Sequence, residues 1–165
     1  MKCSEKWVCR MLSFAVFLTL CLWQTGAQGK DTVSLSKGQA VYVPVYSHIY
    51  DGDQKYRLYL AVTLSIRNTD PAHSITVQDV DYYDSEGNLV KKYIDDPITL
   101  KAMASMRYMV KASDKAGGSG ANFIVRWVAG KEVNPPVIES VMIGTQMQQG
   151  ISFTSRGQVI QMPPK

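Results

Sequence analysis

Arg57-Leu58-Tyr59-Leu60-Ala61-Val62-Thr63-Leu64-Ser65-Ile66-Arg67 is the stretch that decides the fold. Leu58, Leu60, Val62, Leu64 and Ile66 take alternate positions, with Tyr59, Ala61, Thr63 and Ser65 between them. Successive side chains of a β-strand point to opposite faces, so the run has one aliphatic face and one mixed face. A helix would scatter the five aliphatic residues around its circumference. The spacing predicts one continuous strand at the centre of a β-sandwich.

The flanking sequence repeats the pattern. Gln39 to Tyr46 sets Val41, Val43 and Val45 against Tyr42, Pro44 and Tyr46. Proline cannot donate to a sheet ladder, which predicts an edge strand or a break at Pro44. Ser47 to Gln54 reads as a loop around Asp51-Gly52-Asp53, and Asn68-Thr69-Asp70-Pro71 as a turn. From Ser74 to Asp84 the apolar parity switches from Ile75 and Val77 to Val80 and Tyr82. One inserted residue flips the faces of a strand, so a β-bulge is expected near Gln78 and Asp79. Ser85 to Asn88, with Gly87 at positive φ, turns the chain into a hairpin with Leu89 to Ile94. Further strands are expected at Met103 to Lys111, Asn122 to Val128, Val137 to Ile143 and Gly150 to Thr154. Asn122 to Val128 is apolar on both faces apart from Arg126 and belongs in a sheet centre. Ser113 to Gly120 is a flexible loop by composition. The fold class is all-β: an immunoglobulin-like antiparallel sandwich of about seven to eight strands, with a small β-barrel as the alternative.

The first residues read as an address. Lys2, Lys6 and Arg10 precede an apolar run from Met11 to Trp23, and small residues follow at Gly26, Ala27 and Gly29. That is the layout of a secretory signal peptide over 1–29, with one domain at 30–165. The run is shorter than the roughly 20 residues of a membrane-spanning helix. No integral span remains after cleavage. Periplasmic localisation is expected, the alternative being an anchor through an uncleaved or lipidated N-terminus. Cys3, Cys9 and Cys21 all lie in the address, so the mature domain has no disulfide, thiolate metal site or cysteine nucleophile. Removing Lys2, Lys6, Arg10 and Glu5 takes the 18 basic and 14 acidic residues to 15 and 13, a net charge of about +2. No basic run exceeds Lys91-Lys92, so no nucleic-acid partner is indicated.

VPVYSHIY (43–50), LSIRNTD (64–70), VDYYDSEGNLV (80–90), GGSGANFIVRW (117–127), NPPVIESVMIG (134–144) and GISFTSRGQ (150–158) together resemble a bacterial envelope family known as domain of unknown function 3124. The resemblance runs from about Lys37 to Ile160. It implies an exported bacterial protein, and it brings no activity and no catalytic residues.

Several clusters suggest chemistry. Asp79, Asp81, Asp84, Glu86 and Asn88 crowd one hairpin, but they lack the glycine and terminal glutamate of the helix–loop–helix calcium loop; turn chemistry explains them. Met103, Met106 and Met109 offer thioethers for copper(I), yet on a strand Met106 points away from the other two. His48 and His73 are the only histidines, and neither sits in a nucleophile motif. Gly117-Gly118-Ser119-Gly120 leads into a strand rather than the lysine and helix of a phosphate loop. The remaining set is aromatic. Tyr42, Tyr46, Tyr50 and Tyr59, with His48 and with Asn122 at the end of the 113–122 loop, form the expected partner or ligand surface. No cofactor, metal or catalytic residue is assigned. The expected function is a non-enzymatic binding or assembly module of the cell envelope, its partner an envelope protein or a small ligand. A small-ligand or metal-binding module, and an enzyme acting on an envelope polymer, are the alternatives.

Overall fold

Apolar alternation builds almost every element of the computed structural model, which describes residues 34–51, 53, 55–145 and 150–161. The expected signal peptide and the three cysteines lie outside the described residues. In chain order the strands are β1 (Ser36–Pro44), β2 (His48–Asp51), β3 (Tyr56–Tyr59), β4 (Ala61–Arg67), β5 (Ile75–Tyr83), β6 (Leu89–Lys92), β7 (Ile98–Leu100), β8 (Ser105–Val110), β9 (Asn122–Val133), β10 (Val137–Gly144), β11 (Ile151–Arg156) and β12 (Gln158–Ile160). Every pairing is antiparallel.

One sheet runs β12-β1-β9-β5-β6, with β7 also on β5; the other runs β11-β10-β4-β8. Their inner faces supply a shared core: Val41, Val43, Val80, Tyr82, Phe123, Val125 and Trp127 from one sheet, and Val62, Leu64, Ile66, Val110, Ile138 and Met142 from the other. This is an antiparallel β-sandwich, as the alternation predicts. Aromatic contacts thicken the core at one side, where the Tyr93 ring lies 5.5 Å from Phe123 and 5.3 Å from Tyr108. The chain passes from one sheet to the other at Gly157. A Cβ there would meet Val41 Cγ1 at 2.6 Å and the Ile138 carbonyl at 2.8 Å, so only glycine fits the crossing.

The deciding stretch is two strands, not one. It breaks at Leu60, whose N–H leaves the ladder and donates to the Ser47 carbonyl at 3.0 Å. β4 enters the four-stranded sheet, while β3 pairs with β2 in a separate ribbon. The expected loop after Tyr46 is thus half of a hairpin. β1 is not an edge strand, because β9 and β12 flank it; Pro44 ends it instead. The bulge in β5 falls where the parity switches, with Val77 opposite Trp127 and Asp79 opposite Arg126. The three-residue strands β7 and β12 are too short for periodicity to reveal and bring the described strands to twelve.

Candidate functional site

The ribbon β2–β3 is set at one end of the sandwich by backbone bonds. Beyond Pro44 the Val45 N–H donates to the Ala121 carbonyl at 3.0 Å, and the Ser47 N–H to the Gly118 carbonyl at 2.9 Å. Ser47 therefore serves two elements: its N–H holds the 113–121 loop and its carbonyl receives Leu60. The loop is fastened from a second side. The Ser85 N–H and Oγ both donate to the Gly117 carbonyl at 3.0 Å, and Ser85 Oγ accepts from the Gly120 N–H at 2.9 Å. Composition predicts a flexible loop here; these bonds tie it down instead, and Gly118, at φ 76°, supplies the left-handed residue the path requires.

On the ribbon His48 lies opposite Tyr59 and Tyr50 opposite Arg57. Alternation places all four on one face. The His48 ring is edge-on to Tyr50 at 5.1 Å and to Tyr59 at 6.0 Å. Arg57 Cζ lies 6.0 Å from the Tyr50 ring centre, and Lys115 Nζ, carried in by the fastened loop, lies 4.5 Å from that of Tyr59. The order along the row is cation, ring, imidazole, ring, cation. His48 is only 7 % exposed, and among the described residues neither of its ring nitrogens has a hydrogen-bond partner. Burial, then the Arg57 charge, lowers its pKa, which keeps the imidazole neutral. Tyr50 is 46 % exposed and presents the row to solvent.

The other expected surface residues do not join this row. Tyr46 packs edge-on against Phe153 at 5.8 Å and contributes to the core. Tyr42 lies in β1 opposite Ile124 and Gln158, and Asn122 lies in β9 opposite Pro44 and Tyr83; both are sheet residues. Arg57 and Lys115 are the members that sequence reasoning missed. Arg57 alternates with Tyr59 and was open to detection. Lys115 reaches the row through a loop whose path no periodicity records.

The remaining chemical clusters have structural tasks. Asp84 Oδ1 accepts from the Glu86 and Asn88 N–H groups at 3.0 and 2.7 Å and closes the β5–β6 turn. Asp79 and Asp81 face Arg126 at 3.1 and 3.8 Å. Met103 sits in a turn at φ 58° and Met109 points to solvent, while Met106 packs against the core, so the three thioethers diverge. Among the described residues no three His, Cys, Asp or Glu side chains converge to hold a metal ion. Also among them, no helix is long and apolar enough to cross a membrane.

A family model described as "Protein of unknown function (DUF3124)" matches residues 38–160. No curated protein matches the chain. Among solved structures, the crystal structure of Thermotoga maritima 1070 is similar over 73 % of this chain and 92 % of that one, at 11 % identity and a TM-score of 0.42.

Proposed function

The chain belongs to the DUF3124 family, and from that footing we propose that it is a non-enzymatic binding module exported to the bacterial envelope, with the Arg57, Tyr50, His48, Tyr59 and Lys115 row as its contact surface. The observation that carries the reading is the row itself: three rings lie between two cations, four of the five members on a ribbon that stands outside both sheets and is anchored at Ser47, the fifth on the loop bonded to it. Tyrosine and arginine give large contact area and polar reach together, which is why they dominate protein contact surfaces. The partner this suits is a protein with carboxylates set beside apolar side chains. Binding rather than catalysis is supported by the duties of the titratable groups. His48 is closed between rings, and Asp79, Asp81 and Asp84 are engaged as described above.

A photo-crosslinking residue in place of Tyr50, read in intact cells, tests the proposal. Thr154, on the outer face of the other sheet, is the control position. A discrete crosslinked species from position 50, absent from position 154 and lost when Tyr59→Ala is added, supports it. No species, or the same species from both positions, rejects it. An export reporter fused after Lys30 checks the address separately; retention in the cytoplasm would remove the envelope from the reading.

A further inference from the structure

The outer face of the four-stranded sheet carries a different chemistry, independent of the ribbon. Pairing register puts Arg107, Ser65, Glu139 and Arg156 in one row across β8, β4, β10 and β11. The neighbouring row brings Arg67 opposite Ser105 and Val137. The next row across this face is Met109, Thr63, Val141 and Thr154, and beyond it lie Ala61, Ile143 and Ser152. Three arginines thus meet one carboxylate. Among the described residues only the Arg67 side chain is engaged, through Nε, which donates to Ser65 Oγ at 3.0 Å and stands 3.9 Å from Glu139 Oε1. Arg107 and Arg156 are exposed, and among the described residues no hydrogen bond or ion pair reaches either side chain. The contrast with Arg126 is direct, because on the other sheet that arginine is matched with two aspartates. Between Arg67 and Arg107 lies a hollow of about 310 Å³ lined by Thr63, Ser65, Ser105, Met106 and Val141.

We propose that this hollow is a phosphate-binding site, taking the phosphate group of a small phosphorylated ligand or of a lipid headgroup. Guanidinium forks match phosphate oxygens in geometry and charge. A tetrahedral oxyanion also offers oxygens in several directions, which suits hydroxyl donors from three residues arranged around two cations. A planar carboxylate uses fewer of them. The size admits one such group and not a folded domain. Glu139 is the built-in competitor, since it holds Arg67 when no anion is present.

The test uses the full chain with inorganic phosphate as probe, against sodium chloride at matched ionic strength. Amide shifts in two-dimensional NMR at Thr63, Ser65, Ser105 and Arg107, saturating with phosphate and absent with chloride, are expected. Arg107→Gln weakens binding about ten- to hundredfold, the size of a lost charge-assisted contact. Glu139→Gln tightens it, a gain that a merely structural glutamate would not give. The Arg107 side chain is exposed and has no bond among the described residues, so its replacement leaves the melting temperature in chloride unchanged and the comparison clean. Sedimentation with vesicles containing an anionic phospholipid distinguishes the source. Co-sedimentation lost in Arg107→Gln assigns a lipid headgroup, and its absence beside phosphate binding assigns a soluble ligand. Shifts that chloride reproduces, or that survive in the Arg67→Gln/Arg107→Gln double variant, overturn the proposal.

Discussion

The Ser47 hydroxyl and the Tyr82 phenol lie 3.2 Å apart, and both residues are sealed from water. Ser47 is the pivot of the ribbon and Tyr82 a core residue of β5, so this bond adds a side-chain tie from the candidate contact surface to the core beside the backbone bonds at Val45, Ser47 and Leu60. Burial raises the Tyr82 pKa and the bond to Ser47 opposes that rise, so the phenol stays neutral at ordinary pH.

Removing either partner strands the other. Tyr82→Phe or Ser47→Ala is expected to cost about 1–3 kcal/mol, because a buried hydroxyl without a partner loses its hydration and gains nothing. The double replacement removes the orphan and should cost less than the sum of the singles. Denaturant unfolding of the four proteins gives the coupling. Strict additivity would mean that the bond contributes nothing.

Gly117 abuts the hydroxyl end of Tyr82. A Cβ added there would meet Tyr82 Cζ at 2.6 Å and Ala121 Cβ at 2.7 Å. Gly117→Ala must therefore push the 113–121 loop off its seat, at about 1–3 kcal/mol for an overpacked site. It should also carry Lys115 away from Tyr59. Gly130→Ala is the control, since nothing lies within 4 Å of its added Cβ. Equal melting temperatures for the two variants would show that the loop is not held as described.

Those two sites show where sequence reading works and where it stops. Val62, Leu64 and Ile66 were legible because burial on a strand writes a period of two into the sequence. The β5 bulge was legible for the same reason, as a phase slip in that period. The break at Leu60 is not, because Leu60 keeps its place in the alternation and is as buried as Val62 and Leu64; a hydrogen bond to Ser47 and a change of pairing partner mark it, and neither is local in sequence. The sequence groups Tyr50, His48 and Tyr59 correctly, but it adds Tyr42 and Tyr46 from their strand face and Asn122 from its place at the end of the 113–122 loop, and neither signal says which end of the sandwich a residue reaches. Lys115 and the Arg67–Arg107 pair depend on a loop path and a sheet register. Both are set by contacts between residues far apart in the chain, and neither leaves a local pattern.

Asp70 joins two connections that sequence places 64 residues apart. Its Oδ1 accepts from the Ala72 and His73 N–H groups at 3.0 and 2.8 Å and meets His73 Nδ1 at 3.1 Å, and its Oδ2 accepts from the Asn134 N–H at 3.1 Å. These bonds, led by that from Ala72, hold its pKa at about 2, against 3.8 ordinarily. A carboxyl with a depressed folded pKa adds stability that is present above the unfolded value and is lost as pH falls through the folded one. Acid should therefore weaken the protein progressively between pH 3.8 and about 2. Asp70→Asn keeps the shape and removes the charge. It should lower the melting temperature at neutral pH and flatten the acid slope, as thermal melts across that range will read. An unchanged acid slope in the variant would assign acid unfolding to other carboxylates.

His48 should give the ribbon its own pH response, separate from that of the sandwich. The charged members of its row are Arg57 on β3 and Lys115 on the loop, both positive, and its ring neighbours are the uncharged Tyr50 and Tyr59. Loss of hydration on burial, then the Arg57 charge, pushes its pKa below 6.5, and protonation would add a third positive charge to the row. Between that lowered value and 6.5 the opened chain binds more protons than the closed one, so closure strengthens as pH rises. The contribution is complete above 6.5 and is lost as pH falls through the folded value. Hydrogen exchange at the β2 and β3 amides, measured above and well below 6.5, should show protection falling on the acid side while β9 and β4 stay protected. The acceleration of chemical exchange by pH itself is removed by comparing protection factors. His48→Phe keeps an aromatic ring between the tyrosines and cannot take up the proton, so its ribbon should stay closed at both pH values. A wild-type ribbon whose protection does not change, or a His48→Phe ribbon that opens at the same pH, would place the acid-sensitive group elsewhere.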